Sequence, residues 1–232
     1  MIGTIKERQS LIDICLKMNE TGINSGSSGN ASIKIKEGFL ITPSGLAYSK
    51  TKPEDIVYMD DDSKYYGNLL PSSEWHFHLA IQKKRKDINA VLHAHAPWSM
   101  VVASCLKDLP AVHYMIGVAK TNVIKCSPYE PFGSKELSTV ALEALGDEAS
   151  ACLLGNHGII TVGQSLEQAL YVMQEVEQLA RIYVLSQNLG GANILSDNDM
   201  EDIHKRFKTY GKQPDQMSKD DIPAVIPPQK GD

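Results

Sequence analysis

The sequence predicts a single mixed α/β domain, and two observations predict it. Segments with apolar residues at helical spacing alternate with short segments of strand period along the chain. No change of composition divides the 232 residues, a length that suits one large domain. The domain is expected over residues 1–211. A polar, proline-rich tail follows over 212–232, with Pro214, Pro223, Pro227 and Pro228.

The elements follow in order. Residues 5–18 place Leu11, Ile12, Cys15 and Leu16 on one helical face, and a glycine-rich loop over 21–30 ends that helix. Residues 31–35 and 38–42 alternate and read as a hairpin, which Thr42-Pro43-Ser44-Gly45 terminates. A second helix is expected to start at Ser72 or Ser73 as N-cap, with Glu74 in its first turn and His78 on the same face. Residues 89–95 read as a strand, and Pro97 opens a helix through Cys105. Ser134 is a further N-cap, and residues 151–162 form a strand pair around Gly155-Asn156-His157-Gly158. The last long helix begins at Ser165, where Ser165-x-x-Gln168 is a capping box. Its stripe of Leu166, Ala169, Leu170, Met173, Val176, Ala180 and Tyr183 is expected to be core or subunit interface.

Composition excludes several function classes. With 42% hydrophobic and 22% charged residues the chain has ample core material, and its formal net charge of −5 does not suit a phosphate backbone. The one basic run, Lys83-Lys84-Arg85-Lys86, reads as a helix C-terminus, where cations meet the negative end of the dipole. Cys15, Cys105, Cys126 and Cys152 are widely spaced, as expected of buried thiols in a reducing compartment, so a cytoplasmic location is expected. No apolar run approaches the ~20 residues that span a bilayer.

His93-Ala94-His95 is the sharpest chemical signal. Residues two apart on a strand project to one side, so both imidazoles can reach one ion. A catalytic zinc takes three protein ligands and keeps a position open, so a third donor is needed. His157, in a glycine-flanked turn between strands, is the best candidate. His76, His78 and His113 compete for that place and read as structural, although spacing alone does not exclude His78. Gly26-Ser27-Ser28-Gly29-Asn30, Thr42-Pro43-Ser44-Gly45 and Ser72-Ser73 supply small hydroxyls and exposed N–H groups of the kind a phosphate needs.

Taken together, Gly29-Asn30, Thr42-Pro43-Ser44-Gly45, Pro71-Ser72-Ser73-Glu74, His93-x-His95 and the later His157 resemble, in order and spacing, the class II aldolase/adducin family. The likeness covers about residues 5–211. His113-Tyr114-Met115-Ile116, Pro128-Tyr129 through Phe132-Gly133, and Phe207-Lys208-Thr209-Tyr210-Gly211 are similar to its sugar-phosphate aldolase branch. The resemblance implies a single-domain α/β/α sandwich around a mostly antiparallel sheet, assembled as a cyclic homotetramer with active sites between subunits.

It also implies that a divalent metal, zinc first and manganese or cobalt next, is held by His93, His95 and His157, with Glu74 ligating conditionally. In that scheme the metal stabilises the enediolate of dihydroxyacetone phosphate, and Glu74 moves the proton. Gly29, Asn30, Ser44, Gly45, Ser72 and Ser73 hold the phosphate, and Phe132 contacts the aldehyde. Tyr114 is the acid at the aldehyde oxygen, and Tyr210 reaches a neighbour's site. The metal ligands do not separate an aldolase from a sugar-phosphate 4-epimerase or dehydratase of the same family. A non-catalytic adducin-like module is disfavoured because every ligand is present. Asn156, where that branch has a second histidine, and His76, in place of an arginine, leave the aldehyde open.

Overall fold

The computed structural model describes residues 2–213 together with 216–218, 221 and 224. Most of the expected tail, 212–232, therefore lies outside the described residues. The elements run α1 (Ile5–Glu20), β1 (Asn30–Ile35), β2 (Gly38–Ile41), β3 (Val57–Met59), β4 (Tyr65–Tyr66), α2 (Trp75–Lys84), β5 (Ala90–Ala94), α3 (Pro97–Ser104), β6 (Leu109–Pro110), β7 (Val123–Ile124), β8 (Cys126–Ser127), α4 (Lys135–Leu145), β9 (Ala151–Leu154), β10 (Gly158–Gly163), α5 (Leu166–Ser186) and α6 (Asp197–Phe207).

Eight of the strands form one sheet in the order β4-β3-β2-β1-β5-β10-β9-β8. Its pairs are antiparallel except β8 with β9. The expected sandwich follows from side-chain alternation on the central strands. Leu92 and Ala94 of β5 and Ile159 of β10 join Leu11, Cys15 and Met18 of α1 and Leu170, Met173 and Val176 of α5 in one core. Val91, Ile160 and Val162 point the other way, onto Phe77 and Ile81 of α2 and Leu137, Ala141 and Leu145 of α4. The α5 stripe is thus core, with Tyr183 packed partly buried at its edge.

One local expectation is corrected and another is borne out with an added contact. α2 starts one or two residues later than the serines suggested: Glu74, not a serine, sits at the N-cap, with φ −99° and ψ 16° and no side-chain cap. The serines are held elsewhere. Ser72 N–H donates to Thr42 O at 2.9 Å, and its hydroxyl accepts from Glu74 N–H at 3.3 Å. The Glu74 carboxylate is therefore free for tertiary contacts. The basic run ends α2 as expected, with Arg85 at the C-cap. Lys83 and Lys84 lie in the last turn of α2, but Arg85 is buried. It donates to Ala149 O at 2.8 Å and pairs with Asp87 at 2.8 Å, tying this corner to the chain beyond α4.

Candidate metal and proton-transfer site

The end of β5 builds the floor of the site. His93 stands opposite Asn30 of β1 and Ile160 of β10, so it lies in the middle of the sheet and is 0% exposed. Its Nδ1–H donates to Ile159 O at 3.0 Å, which leaves Nε2 as the lone-pair nitrogen. His95 follows the strand's last residue, and its backbone N–H donates to Asn24 Oδ1 at 3.2 Å. Gly29 closes this corner from β1. Its φ is +68°, and a Cβ there would overlap the Asn24 side chain and His93 O.

His157 arrives on the β9–β10 hairpin, where Leu154 pairs with Gly158 and three residues form the loop. Asn156 takes the left-handed conformation at φ +52°, which asparagine tolerates, and His157 N–H donates to Leu154 O at 3.0 Å. Gly158 must be glycine because a Cβ would overlap Ala94 O and press on the His93 ring.

The expected ligands converge. One ring nitrogen from each of His93, His95 and His157 lies within 4.8 Å of the others. Glu74 completes the cluster: its Oε2 is 3.2 Å from His93 Nε2 and its Oε1 is 3.3 Å from His157 Nε2. Those separations are of ion-pair length, yet neither His93 Nε2 nor Glu74 Oε1 makes a hydrogen bond of acceptable geometry. Burial first, then the neighbouring His95, pushes the His93 pKa from 6.5 down to about 3. Burial, and then His93, lowers His157 as well, against an opposing pull from Glu74. The Nε2 lone pair of a neutral His93 thus faces the Glu74 carboxylate at the buried end of the site. That is an unfavourable set of acceptors which a cation at their centre satisfies. The donor set therefore fits a divalent metal.

The other histidines are not in the cluster. His78 is fully buried, with Nδ1 2.7 Å from Ser32 Oγ and Nε2 2.5 Å from Asn30 Oδ1. His76 stacks on Trp75, and the His113 ring accepts from Met115 N–H. Asn30, expected as a phosphate residue, donates from Nδ2 to Glu74 Oε2 at 2.9 Å.

Glu74, His95 and His157 open on a cavity of about 340 Å³. Gly29, Asn30, Ser44, Gly45, Ser72 and Ser73 all line it, as does Phe132, which is 74% exposed. The backbone N–H groups of Gly45 and Ser73 make no hydrogen bond within the described residues, and no lysine or arginine lines the cavity. Ser27 of the glycine-rich loop lines it too, and so do Tyr129, Glu130 and Asn156, which were assigned no role from the sequence. Asn24 and Tyr48 were missed altogether. Tyr48 Oη donates to Gly29 O at 2.7 Å, a contact that no local pattern signals. Tyr114 and Tyr210 are not brought to this cavity within one chain. They are 44% and 57% exposed and flank a separate apolar hollow with Ile203 and Phe207.

The family model described as "Class II Aldolase and Adducin N-terminal domain" matches residues 9–184. The chain belongs to this family. Among members, an L-fuculose phosphate aldolase of Haemophilus influenzae is 42% identical over 204 residues, covering 88% of this chain and 94% of its own. A Rhodospirillum rubrum protein named 5-methylthioribulose-1-phosphate/5-deoxyribulose-1-phosphate aldolase is also 42% identical, covering 88% and 92%. A solved structure of an L-fuculose 1-phosphate aldolase superposes with a TM-score of 0.86 at 39% identity, covering 89% of this chain and 98% of that one. Family, fold and cluster geometry thus agree, and no helix among the described residues is long and apolar enough to cross a membrane.

Proposed function

We propose that the protein is a metal-dependent aldolase that reversibly cleaves a ketose 1-phosphate, L-fuculose 1-phosphate or a related deoxy-ketose 1-phosphate, to dihydroxyacetone phosphate and an aldehyde. The observation that carries this reading is the Glu74 carboxylate facing the ring nitrogens of His93 and His157 at the end of a cavity lined elsewhere by serine and glycine loops. His93, His95 and His157 would hold the cation, zinc by preference, and Glu74 has the position of a fourth ligand when no substrate is bound. A divalent cation held there would supply Lewis acidity to the ketose oxygens as negative charge develops on them.

Glu74 removes or returns the proton at the carbon next to the carbonyl, because its carboxylate is buried beside the cluster and faces the cavity. Ser44, Ser72 and Ser73 offer hydroxyls and Gly45 an open N–H to the phosphate, with Gly29 and Asn30 forming the adjoining wall. Phe132 meets the aldehyde half at the mouth. Tyr114 and Tyr210 enter the cavity of a neighbouring subunit in a homotetramer, which their exposure in the single chain permits. Tyr114 is the proton donor to the aldehyde oxygen.

The test is release of dihydroxyacetone phosphate from a panel of ketose 1-phosphates, including L-fuculose 1-phosphate and 5-deoxyribulose 1-phosphate, with and without chelator. Chelator-sensitive release is expected. Silence across the panel from metal-loaded protein would reject the aldolase reading for these substrates.

A further inference from the structure

Behind Glu74 lies a buried polar chain that none of the proposed ligand or phosphate roles explains. It runs from Ser32 Oγ to His78 Nδ1 at 2.7 Å, from His78 Nε2 to Asn30 Oδ1 at 2.5 Å, and from Asn30 Nδ2 to Glu74 Oε2 at 2.9 Å. All four residues are buried, and they come from two places in the fold. Asn30 and Ser32 sit two apart on β1, on the same face of the strand, while Glu74 and His78 sit one turn apart at the start of α2.

The chemistry of the partners sets each donor. A carboxylate only accepts, so the amide nitrogen of Asn30 must face Glu74, and its oxygen must then face His78. That oxygen needs a donor, which makes His78 the Nε2–H tautomer, with Nδ1 accepting from the Ser32 hydroxyl. The reverse arrangement would set two acceptor oxygens against each other beside Glu74 and leave buried groups unpaired. Asn30 is thus held in one of its two amide orientations by a residue that does not touch the cavity.

We infer that His78 is a positioning residue for the proposed reaction: by locking the Asn30 amide it aims the Glu74 carboxylate, so that Asn30 acts chiefly on the proton-transferring group and not on phosphate. The inference rests on the reading of Glu74 as the group that moves the proton. It assigns a purpose to a fully buried histidine that neither metal binding nor core packing accounts for. The geometry also explains the late start of α2, since Glu74 at the N-cap lets its side chain reach Asn30 instead of capping the helix.

The test separates proton removal from phosphate binding. Zinc-loaded protein is incubated with dihydroxyacetone phosphate in heavy water without aldehyde, and exchange of the carbon-bound proton is followed by NMR. Zinc content, affinity for dihydroxyacetone phosphate and the unfolding midpoint are measured on the same samples. His78→Leu removes the donor to Asn30, and exchange should fall about 10- to 100-fold, because small misplacements of a reacting group cost that much. Zinc content should remain that of the wild type and affinity should change by less than about threefold. His78→Gln keeps an N–H and should recover part of the exchange rate. Asn30→Asp replaces the donor with a like charge and should fall as far as His78→Leu.

Should His78→Leu not fold, His78→Gln and Asn30→Asp carry the test alone, with an intermediate and a large loss of exchange expected respectively. Exchange at the wild-type rate in Asn30→Asp or in folded His78→Leu would overturn the inference. So would a loss matched by equal losses of bound phosphate ester or of zinc. A wild-type protein that binds the ester but exchanges nothing would overturn the reading of Glu74, and the inference with it.

Discussion

The floor of the cavity and its mouth are built on opposite plans. At the floor, His93 is fully buried between two paired strands, Glu74 is tied to Asn30, and glycines at 29 and 158 let backbone approach where any side chain would collide. At the mouth, Phe132 and Tyr129 are largely exposed, and neither they nor Glu130 makes a side-chain hydrogen bond or ion pair to the described residues. Groups that must converge on one ion and one proton need positions fixed to fractions of an ångström, and only a sheet interior supplies that. Groups that contact a variable substrate half gain nothing from the same rigidity, and loops carry them.

Substitutions at the two ends should therefore differ in size and kind. Glu74→Gln keeps the shape but removes the base, so release of dihydroxyacetone phosphate should fall about 10²- to 10⁴-fold while zinc content is retained. A loss below tenfold would move the proton-transfer role elsewhere.

Acid should damage the floor and spare the mouth. His93 and His157 titrate lower in the folded protein than the ordinary 6.5, as does His78, in each case chiefly through burial. Because the unfolded chain takes up those protons first, the stability they contribute is complete above about pH 6.5 and is lost as pH falls toward about 3. The slope is up to about 1.4 kcal/mol per pH unit for each histidine. Urea midpoints of metal-free protein at pH 8, 6 and 4.5 should drop steeply between the last two. A flat profile would contradict the buried neutral cluster.

Gly158→Ala forces a methyl onto Ala94 O and should cost about 1–3 kcal/mol, together with weaker zinc binding because the His93 ring is the next atom met. Thermal unfolding and metal titration check the two parts. The smallest effect belongs to Phe132→Ala, with stability within about 0.5 kcal/mol of wild type because the ring is exposed. Its kcat/KM ratio between two aldehydes should still change in the condensation assay, and an unchanged ratio would remove Phe132 from the aldehyde pocket.

The legibility of the site follows the same division. Strand parity makes His93-x-His95 readable, and glycines around His157 make its turn readable, because both are local consequences of backbone geometry. The chain through Asn30 and His78 was not readable. It depends on β1 pairing with β5 and on α2 packing across them, and nothing within a short window records either. The tertiary contacts of Arg85 were unreadable for a related reason: it caps the helix beside lysines and pairs with Asp87, but the backbone carbonyls it binds lie more than 60 residues away. The serines before Glu74 mimic an N-cap, yet Ser72 is held by Thr42 O of a neighbouring loop, a contact no short window records.

Equilibrium zinc titration of chelator-stripped wild type and of His93→Ala, with bound metal measured directly, tests the central claim that His93, His95, His157 and Glu74 form one metal centre. One ion per chain in the wild type, with binding lost or weakened at least tenfold in His93→Ala, is the predicted result. Full occupancy of His93→Ala at wild-type affinity would contradict it.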